Sequence, residues 1–352
     1  MKILFLLGKI PPVVGGRENN AWNMALAFNR THKVVVITND NSQNPKGKTR
    51  KNIAGIEVYY LLDLLCKKKL SYFLYKYQAK KYIKLIKPDI IHAHIPGKIS
   101  HLFRNFSIPK ILTYGSGSID LKGASVKSKI DHYRFKAPSI SKYDLIITPG
   151  DRVKNNCVFF SGKNVKTIPN GLDTNVFTKG ENDKKPNSCV YVGRMLDYKG
   201  VNSIIDISKQ LDNYHFTFVG EGPLKDCYQN RNIEYIGLLN QNMLAKVYQK
   251  TKYFMFAGQE ENFPNVGLEA MSCGCIVIAP EIGFSEYVVN GRNGFLVKDT
   301  KPESYIRIIK ELENDKYKYS EIVNNAIHDA KKYSWKNITI KFETIYNEII
   351  GK

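Results

Sequence analysis

The chain has 352 residues, 43% hydrophobic and 24% charged, with 53 Lys and Arg against 32 Asp and Glu and a net charge of +21. Two domains fit that length, each able to bury its own core, and the composition is ordinary for a soluble enzyme. No run of eighteen apolar residues exists, so no transmembrane helix is expected.

The charge is unevenly spread. Residues 1–172 carry 30 Lys and Arg and 9 Asp and Glu, whereas residues 173–352 carry 23 of each. The excess belongs wholly to the first half, which suits an acidic partner such as a membrane surface, a polyanion or a nucleic acid. Cys66, Cys157, Cys189, Cys227, Cys273 and Cys275 are scattered, as in the reduced thiols of a cytoplasmic protein. Cys273-Gly274-Cys275 has no second His or Cys pair at ligand spacing, so no metal site is expected.

In chain order, Lys2–Leu7 reads as a buried strand; its apolar stretch is too short for a signal peptide and no cleavage site follows. A loop over residues 8–16 leads to a helix at Glu18–Arg30. Gly15-Gly16 in that loop lacks the G-x-G-x-x-G spacing of a dinucleotide site but lets a ligand approach the backbone closely. Strands are expected at Lys33–Thr38 and Ile56–Leu61, then a helix over Lys67–Lys87. On a helical wheel Lys69, Lys76, Lys80, Lys84 and Lys87 make one stripe with Phe73 and Tyr77 beside it. Leu74, Tyr75, Tyr82, Leu85 and Ile86 gather opposite. A basic amphipathic helix with interfacial aromatics suits an anionic bilayer; a solvated surface helix is the plainer reading.

A strand at Ile90–His94 sets His92 and His94 on one face, a pair that could be read as metal ligands. Lys110–Tyr114 and Asp144–Thr148 are further strands, separated by a Ser- and Lys-rich stretch with little periodicity, the kind of segment that carries binding residues. Val165–Ile168 and Pro169-Asn170-Gly171-Leu172-Asp173 precede a polar linker at Thr178–Ser188. The α/β alternation restarts at Cys189–Val192, with Arg194 and Lys199 in the turn that follows. Arg clamps phosphate oxygens bidentately and Lys adds a point charge. Phe216–Val219 and Ile233–Gly237 come next. Tyr253–Ala257 and Cys275–Ala279 then read as buried parallel strands around a helix whose first turn holds Pro264 and whose stop is Gly274. Glu261 falls in the loop before that helix and Glu269 within it. Ligands of open α/β sheets bind at the carboxyl ends of strands and helix starts favour anions, so these carboxylates point to a ligand with both phosphate and hydroxyls, a nucleotide sugar.

The run Glu261-Asn262-Phe263-Pro264-Asn265-Val266-Gly267-Leu268-Glu269-Ala270-Met271 resembles the signature of the family 4 glycosyltransferases. Asp89-Ile90-Ile91-His92-Ala93-His94, the Gly15-Gly16 loop, Gly193-Arg194 with Lys199-Gly200, and Gly220-Glu221-Gly222 resemble further elements of that family. The resemblance implies that Glu261 and His94 address the donor sugar and Glu269 the ribose. It gives the diphosphate to Arg194 and Lys199, with Gly15 and Gly16 meeting diphosphate or acceptor. Glu221, Phe263, Pro264, Asn265 and Val266 complete the implied donor site. Asn262 departs from the Gly or Ser of many relatives, and Glu260 beside Glu261 leaves open which acid points inward.

The fold so implied is α/β of the GT-B type, two Rossmann-like domains facing across a cleft. Residues 1–172 would be the acceptor side and 173–335 the donor side, with a helix at 336–352 returning to the first. The implied activity is retaining transfer from a nucleotide diphosphate sugar, UDP favoured, to a glycan or lipid-linked acceptor, with no cofactor and no metal. The setting would be cell-surface polysaccharide or glycolipid synthesis at the cytoplasmic face of the membrane, with Lys67–Lys87 on the anionic surface. A nucleotide-sugar epimerase of the same architecture is the alternative. A nucleic-acid-binding protein is the weaker one, since no recognised module for nucleic acid is present.

Overall fold

The computed structural model describes residues 1–11, 15–42, 44, 47–62, 68–94, 97–115, 137–155, 162, 164–225 and 231–351. It divides into two units, Met1–Gly171 with Trp335–Lys352, and Leu172–Ser334. Unit 1 holds an eight-stranded sheet of β1 (Lys2–Leu7), β2 (Lys33–Thr38), β3 (Arg50–Ile53), β4 (Ile56–Tyr60), β5 (Ile90–Ala93), β6 (Lys110–Thr113), β7 (Leu145–Thr148) and β8 (Val165–Thr167). Their order is β3-β4-β2-β1-β5-β6-β7-β8. Every neighbouring pair is parallel except the β3–β4 hairpin. Ala54 and Gly55 turn that hairpin with φ of 49° and 83°, the positive values a two-residue turn between twisted strands requires.

Side-chain alternation along β1 serves both faces of the sheet. Ile3, Phe5 and Leu7 pack with Ala25 and Phe28 of α1 (Gly16–Phe28), and with Ile338, Phe342 and Tyr346 of the last helix, Trp335–Ile350. Leu4 and Leu6 pack opposite, with Ala79, Tyr82 and Ile86 of α2 (Lys68–Ile86). His92 belongs to the first of these cores. Its Nδ1 lies 2.5 Å from the Tyr346 hydroxyl and its Nε2 2.7 Å from Thr113 Oγ1, so it ties the last helix to β5. Burial, with His94 beside it, holds its pKa well below the ordinary value.

Unit 2 contains β9 (Ser188–Val192), β10 (His215–Val219), β11 (Ile233–Gly237), β12 (Tyr253–Met255), β13 (Ile276–Pro280) and β14 (Phe295–Val297). They form one parallel sheet in the order β11-β10-β9-β12-β13-β14. Thr178–Ser188, expected as a linker, lies inside this unit. The reason is Lys184, whose Nζ donates to the carbonyls of Tyr248 at 2.8 Å and Cys273 at 2.9 Å. Those carbonyls lie at the carboxyl ends of α3 (Gln241–Lys250) and α4 (Asn265–Ser272), where a cation meets the negative end of each helix dipole.

Both sheets have a switch point. In unit 1 the chain adds β2 on one side of β1 and then crosses to β5 on the other; in unit 2 it adds β10 beside β9 and later crosses to β12. The loops leaving the two strands on either side of such a point diverge and open a crevice at their carboxyl ends. These loops carry Gly15, Gly16 and His94 in unit 1, and Arg194, Lys199 and Glu261 in unit 2.

Asp329 pins the far side of unit 2. Its buried carboxylate accepts from Arg292, from Asn293 Nδ2 at 2.9 Å and from Lys332 Nζ at 2.7 Å. Burial alone would raise its pKa, but the bonds from Arg292, Lys332 and Asn293 outweigh it and hold the carboxyl at about 2. A depressed carboxylate contributes stability above its unfolded pKa and loses it as pH falls through the folded one, so about 2 kcal/mol should disappear between about pH 4 and pH 2. Asp329→Ala is expected to cost about 2 kcal/mol at neutral pH, because it removes the acceptor shared by Asn293, Arg292 and Lys332, although Asn293 keeps the Tyr287 carbonyl and both cations reach solvent. Urea unfolding of the variant checks this; an unchanged midpoint would refute it.

Candidate functional site

The turn after β9 is held from beneath. The Tyr191 hydroxyl lies 3.1 Å from the carbonyl of Arg194 and 3.3 Å from that of Lys199, so one buried side chain grips both ends. Tyr191 is itself fixed by stacking on Phe256, centroids 5.8 Å apart and planes within 6°. Gly200 closes the turn at φ 76°, and a Cβ there would lie 2.1 Å from the backbone of Ala257. Only glycine lets this turn sit against the chain leaving β12.

On that scaffold two cations and a carboxylate converge. Lys199 Nζ lies 2.5 Å from Glu261 Oε1 and 3.0 Å from the Glu260 carbonyl. Both partners of the pair are largely shielded, with side-chain exposures of 12% and 22%. Glu261 is therefore the inward acid, while Glu260 is exposed. Arg194 is exposed and donates through Nη2 to the Tyr198 hydroxyl at 2.5 Å. Behind Glu261 the chain passes closely at Gly283, φ 78°, whose Cβ would meet the Glu261 backbone at 3.0 Å.

Glu269 stands in the second turn of α4. Desolvation pushes its carboxyl up to about 7, and the Tyr248 hydroxyl nearby offsets only part of this. Pro264, expected within the first turn, instead caps the helix with φ −76° and ψ 102°, and its carbonyl accepts from Tyr287 at 2.6 Å. Asn265 and Val266 open the helix, half-buried. The Phe263 ring turns into the core, 5.3 Å from Tyr287 and 6.0 Å from Tyr333, so it positions the loop and leaves its backbone to any ligand. Glu221 is exposed, 3.8 Å from Lys225, and its carbonyl accepts from Met195 N at 2.9 Å.

In unit 1, Gly15 caps α1 with an extended backbone and Gly16 is its first residue. His94 follows β5 and donates its backbone N–H to Leu6 O at 3.2 Å. Its ring is buried, and among the described residues neither nitrogen has a hydrogen-bond partner. Burial lowers its pKa to about 4; its own backbone hydrogen bond opposes this and Arg17 adds to it. The neutral imidazole thus keeps one donor and one acceptor for a ligand.

The exposed face of α2 carries Lys76, Lys80, Lys81 and Lys84, with Phe73 72% and Tyr77 68% exposed. Leu85, expected on the buried side, is 61% exposed. The helix buries Gln78, Ala79, Tyr82 and Ile86 instead, with the Gln78 amide bonded to Leu62 N and O at 2.9 Å each. That face leaves Leu85 at its margin in the last turn. Lys67 lies outside the described residues, as does most of the stretch between Gly115 and Ser141. Among the described residues no helix is long and apolar enough to cross a membrane, and no cluster of His, Cys, Asp and Glu could hold a metal.

Two α/β units built on parallel sheets, one with paired cations and carboxylates at its switch point, define a GT-B glycosyltransferase. The chain belongs to the family 4 glycosyltransferases: the model described as Glycosyltransferase Family 4 matches residues 14–176, and that of glycosyl transferases group 1 matches residues 173–329. An uncharacterized glycosyltransferase of Methanocaldococcus jannaschii is 29% identical over 80% of this chain and 81% of its own. The capsular polysaccharide biosynthesis glycosyltransferase CapH of Staphylococcus aureus is 27% identical over 76% of this chain and 78% of its own. Among solved structures, sucrose-phosphate synthase from Thermosynechococcus elongatus superposes with TM-score 0.82 over 99% of each chain at 17% identity. Anabaena HepE, in complex with UDP, superposes with TM-score 0.77 over 99% of this chain and 100% of its own at 18% identity.

Tyr191 and Tyr198 were not legible as site residues from the sequence. Tyr198 has one available signal, its place four residues after Arg194 and next to Lys199.

Proposed function

We propose that this protein is a retaining glycosyltransferase that moves a sugar from a UDP-sugar to a hydroxyl of a glycan or lipid-linked acceptor, in cell-surface polysaccharide or glycolipid synthesis. The observation that carries this reading is the convergence of Arg194, Lys199 and Glu261 at the switch point of unit 2, with Glu269 on the adjoining helix. As the bond to the anomeric carbon breaks, negative charge grows on the departing diphosphate. Arg194 and Lys199 stabilise that charge, and the amides of Gly15 and Gly16 add to it. Glu261, released from Lys199 by the incoming diphosphate, accepts hydrogen bonds from sugar hydroxyls, and His94 offers its neutral ring to the same sugar. Glu269 accepts from the ribose. Glu221, Asn265, Val266 and the backbone at Phe263 and Pro264 line the donor. The acceptor hydroxyl bonds to the anomeric carbon on the face the diphosphate leaves, and its proton departs with the diphosphate. Lys76, Lys80 and Lys84 hold the enzyme on the anionic inner face of the membrane; the chemistry needs no metal or other cofactor.

A donor screen is the decisive experiment. UDP-, ADP- and GDP-sugars are incubated with and without a polar lipid extract, nucleoside diphosphate release is followed, and the product anomer is read by NMR. Release without transfer, recovery of an isomerised donor, or an inverted product would each overturn the corresponding part.

The ribose role of Glu269 has a pH signature. A carboxyl near pH 7 must ionise to accept two hydroxyls, so nucleoside affinity should be full above about pH 8 and weaken roughly tenfold by about pH 6. Uridine, which carries no titrating phosphate, is the probe. Calorimetry should show the dependence in wild type and a flat, weaker profile in Glu269→Gln; a flat wild-type profile would remove Glu269 from the ribose.

A further inference from the structure

We infer that Tyr198 is a positioning residue for the diphosphate cations, a role that rests on the proposed donor reading. Arg194 and Lys199 are five residues apart in a tight turn, both positive, and Arg194 is exposed. An exposed arginine samples many rotamers, and ordering it on ligand binding costs affinity. Tyr198 removes that freedom on two counts. Its hydroxyl accepts from Arg194 Nη2 at 2.5 Å, and its ring lies 5.7 Å from the guanidinium carbon and 5.3 Å from Lys199 Nζ. Both cations therefore share one aromatic ring, within the range at which its quadrupole attracts them.

The backbone of Tyr198 is anchored, while the residue is 38% exposed and its ring open to a ligand. Tyr198 sits in a 3-10 turn over Asp197–Lys199, and its carbonyl accepts from Gln259 N at 3.1 Å, in the loop that carries Glu260 and Glu261. The turn is closed at its other end by Asn202 Nδ2 donating to Asp197 at 2.7 Å. One residue thus couples the turn after β9 to the loop after β12 and aims both cations from that junction. The ring holds the two cations 5.7 Å and 5.3 Å from its centroid in spite of their repulsion, ready for a ligand with two adjacent phosphates. A ligand with a single phosphate engages one cation and gains little from the pairing.

The test is binding of inorganic pyrophosphate, UDP and UMP to wild type, Tyr198→Phe and Tyr198→Leu, with kcat and KM for the donor found in the screen and melting temperatures alongside. Tyr198→Phe keeps the ring and should weaken pyrophosphate and UDP a few fold; Tyr198→Leu should weaken both by roughly tenfold. UMP affinity and melting temperature should stay near wild type. Unchanged pyrophosphate and UDP binding in Tyr198→Leu overturns the inference, and so does an equal loss of UMP and UDP, which would mark a general structural role. A wild type that binds no pyrophosphate overturns it as well, since there is then no paired clamp to position. Pyrophosphate binding that depends on Tyr198, without transfer from any nucleotide sugar, would support the clamp and sink the transfer reaction proposed above.

Discussion

Arg194→Ala and Lys199→Ala are each expected to lower kcat/KM by two orders of magnitude or more, roughly the cost of removing one preorganised electrostatic contact. The two should not be equal. Arg194 is exposed and bonded to a neutral hydroxyl, so its loss removes charge from the leaving group and leaves the rest of the site in place. Lys199 is shielded and paired with Glu261. Removing it also leaves that carboxylate without its cation, beside the place where a diphosphate must enter. Both variants should lower kcat and raise the donor KM, and Lys199→Ala should raise KM the more. Steady-state kinetics with the donor from the screen separates them. Near-wild-type turnover in both variants would take the cations out of the mechanism.

How much of this was readable beforehand follows from what each signal depends on. Buried parallel strands announce themselves by unbroken apolar runs, which is why Lys2–Leu7 and Lys33–Thr38 carry the expected bounds. Arg50–Ile53 was missed because a polar edge strand, Arg-Lys-Asn-Ile, has no such run and its Ala-Gly turn is a weak hairpin signal. Thr178–Ser188 looked like a linker because it is polar, yet polarity there serves the carbonyls that Lys184 satisfies at two helix ends. Leu85 was misplaced because a helical wheel ranks faces by residue type, whereas the sheet beneath α2 selects Gln78, Ala79, Tyr82 and Ile86 by geometry. The motif residues of unit 2 were nameable because spacing along a strand–loop–helix survives in sequence. What spacing leaves open is which acid faces inward. The Lys199–Glu261 contact decides that, and it depends on a backbone approach at Gly200 between segments some sixty residues apart.

Sedimentation with anionic vesicles should separate wild type from a variant in which Lys76, Lys80 and Lys84 are all Glu. Each basic residue near an anionic bilayer contributes about 1 kcal/mol, so losing three costs roughly a hundredfold in partitioning, and three new like charges cost more. The face is suited to this contact because its charges surround apolar side chains: Phe73, Tyr77 and Leu85 stand out from the same helix as the lysines. A merely solvated helix gains nothing from exposing three large apolar groups, whereas an interfacial one buries them at the headgroup boundary. Wild type should bind vesicles containing anionic lipid, ignore neutral ones, and detach as added salt shortens the screening length. Substituting Phe73 and Tyr77 by Ser should weaken binding without altering its salt slope, since those rings carry no charge. A protein that ignores anionic vesicles at low salt while glycosylating a soluble acceptor would end the membrane reading. Transfer chemistry would be untouched by that result, because the donor residues of unit 2 share no side chain with α2.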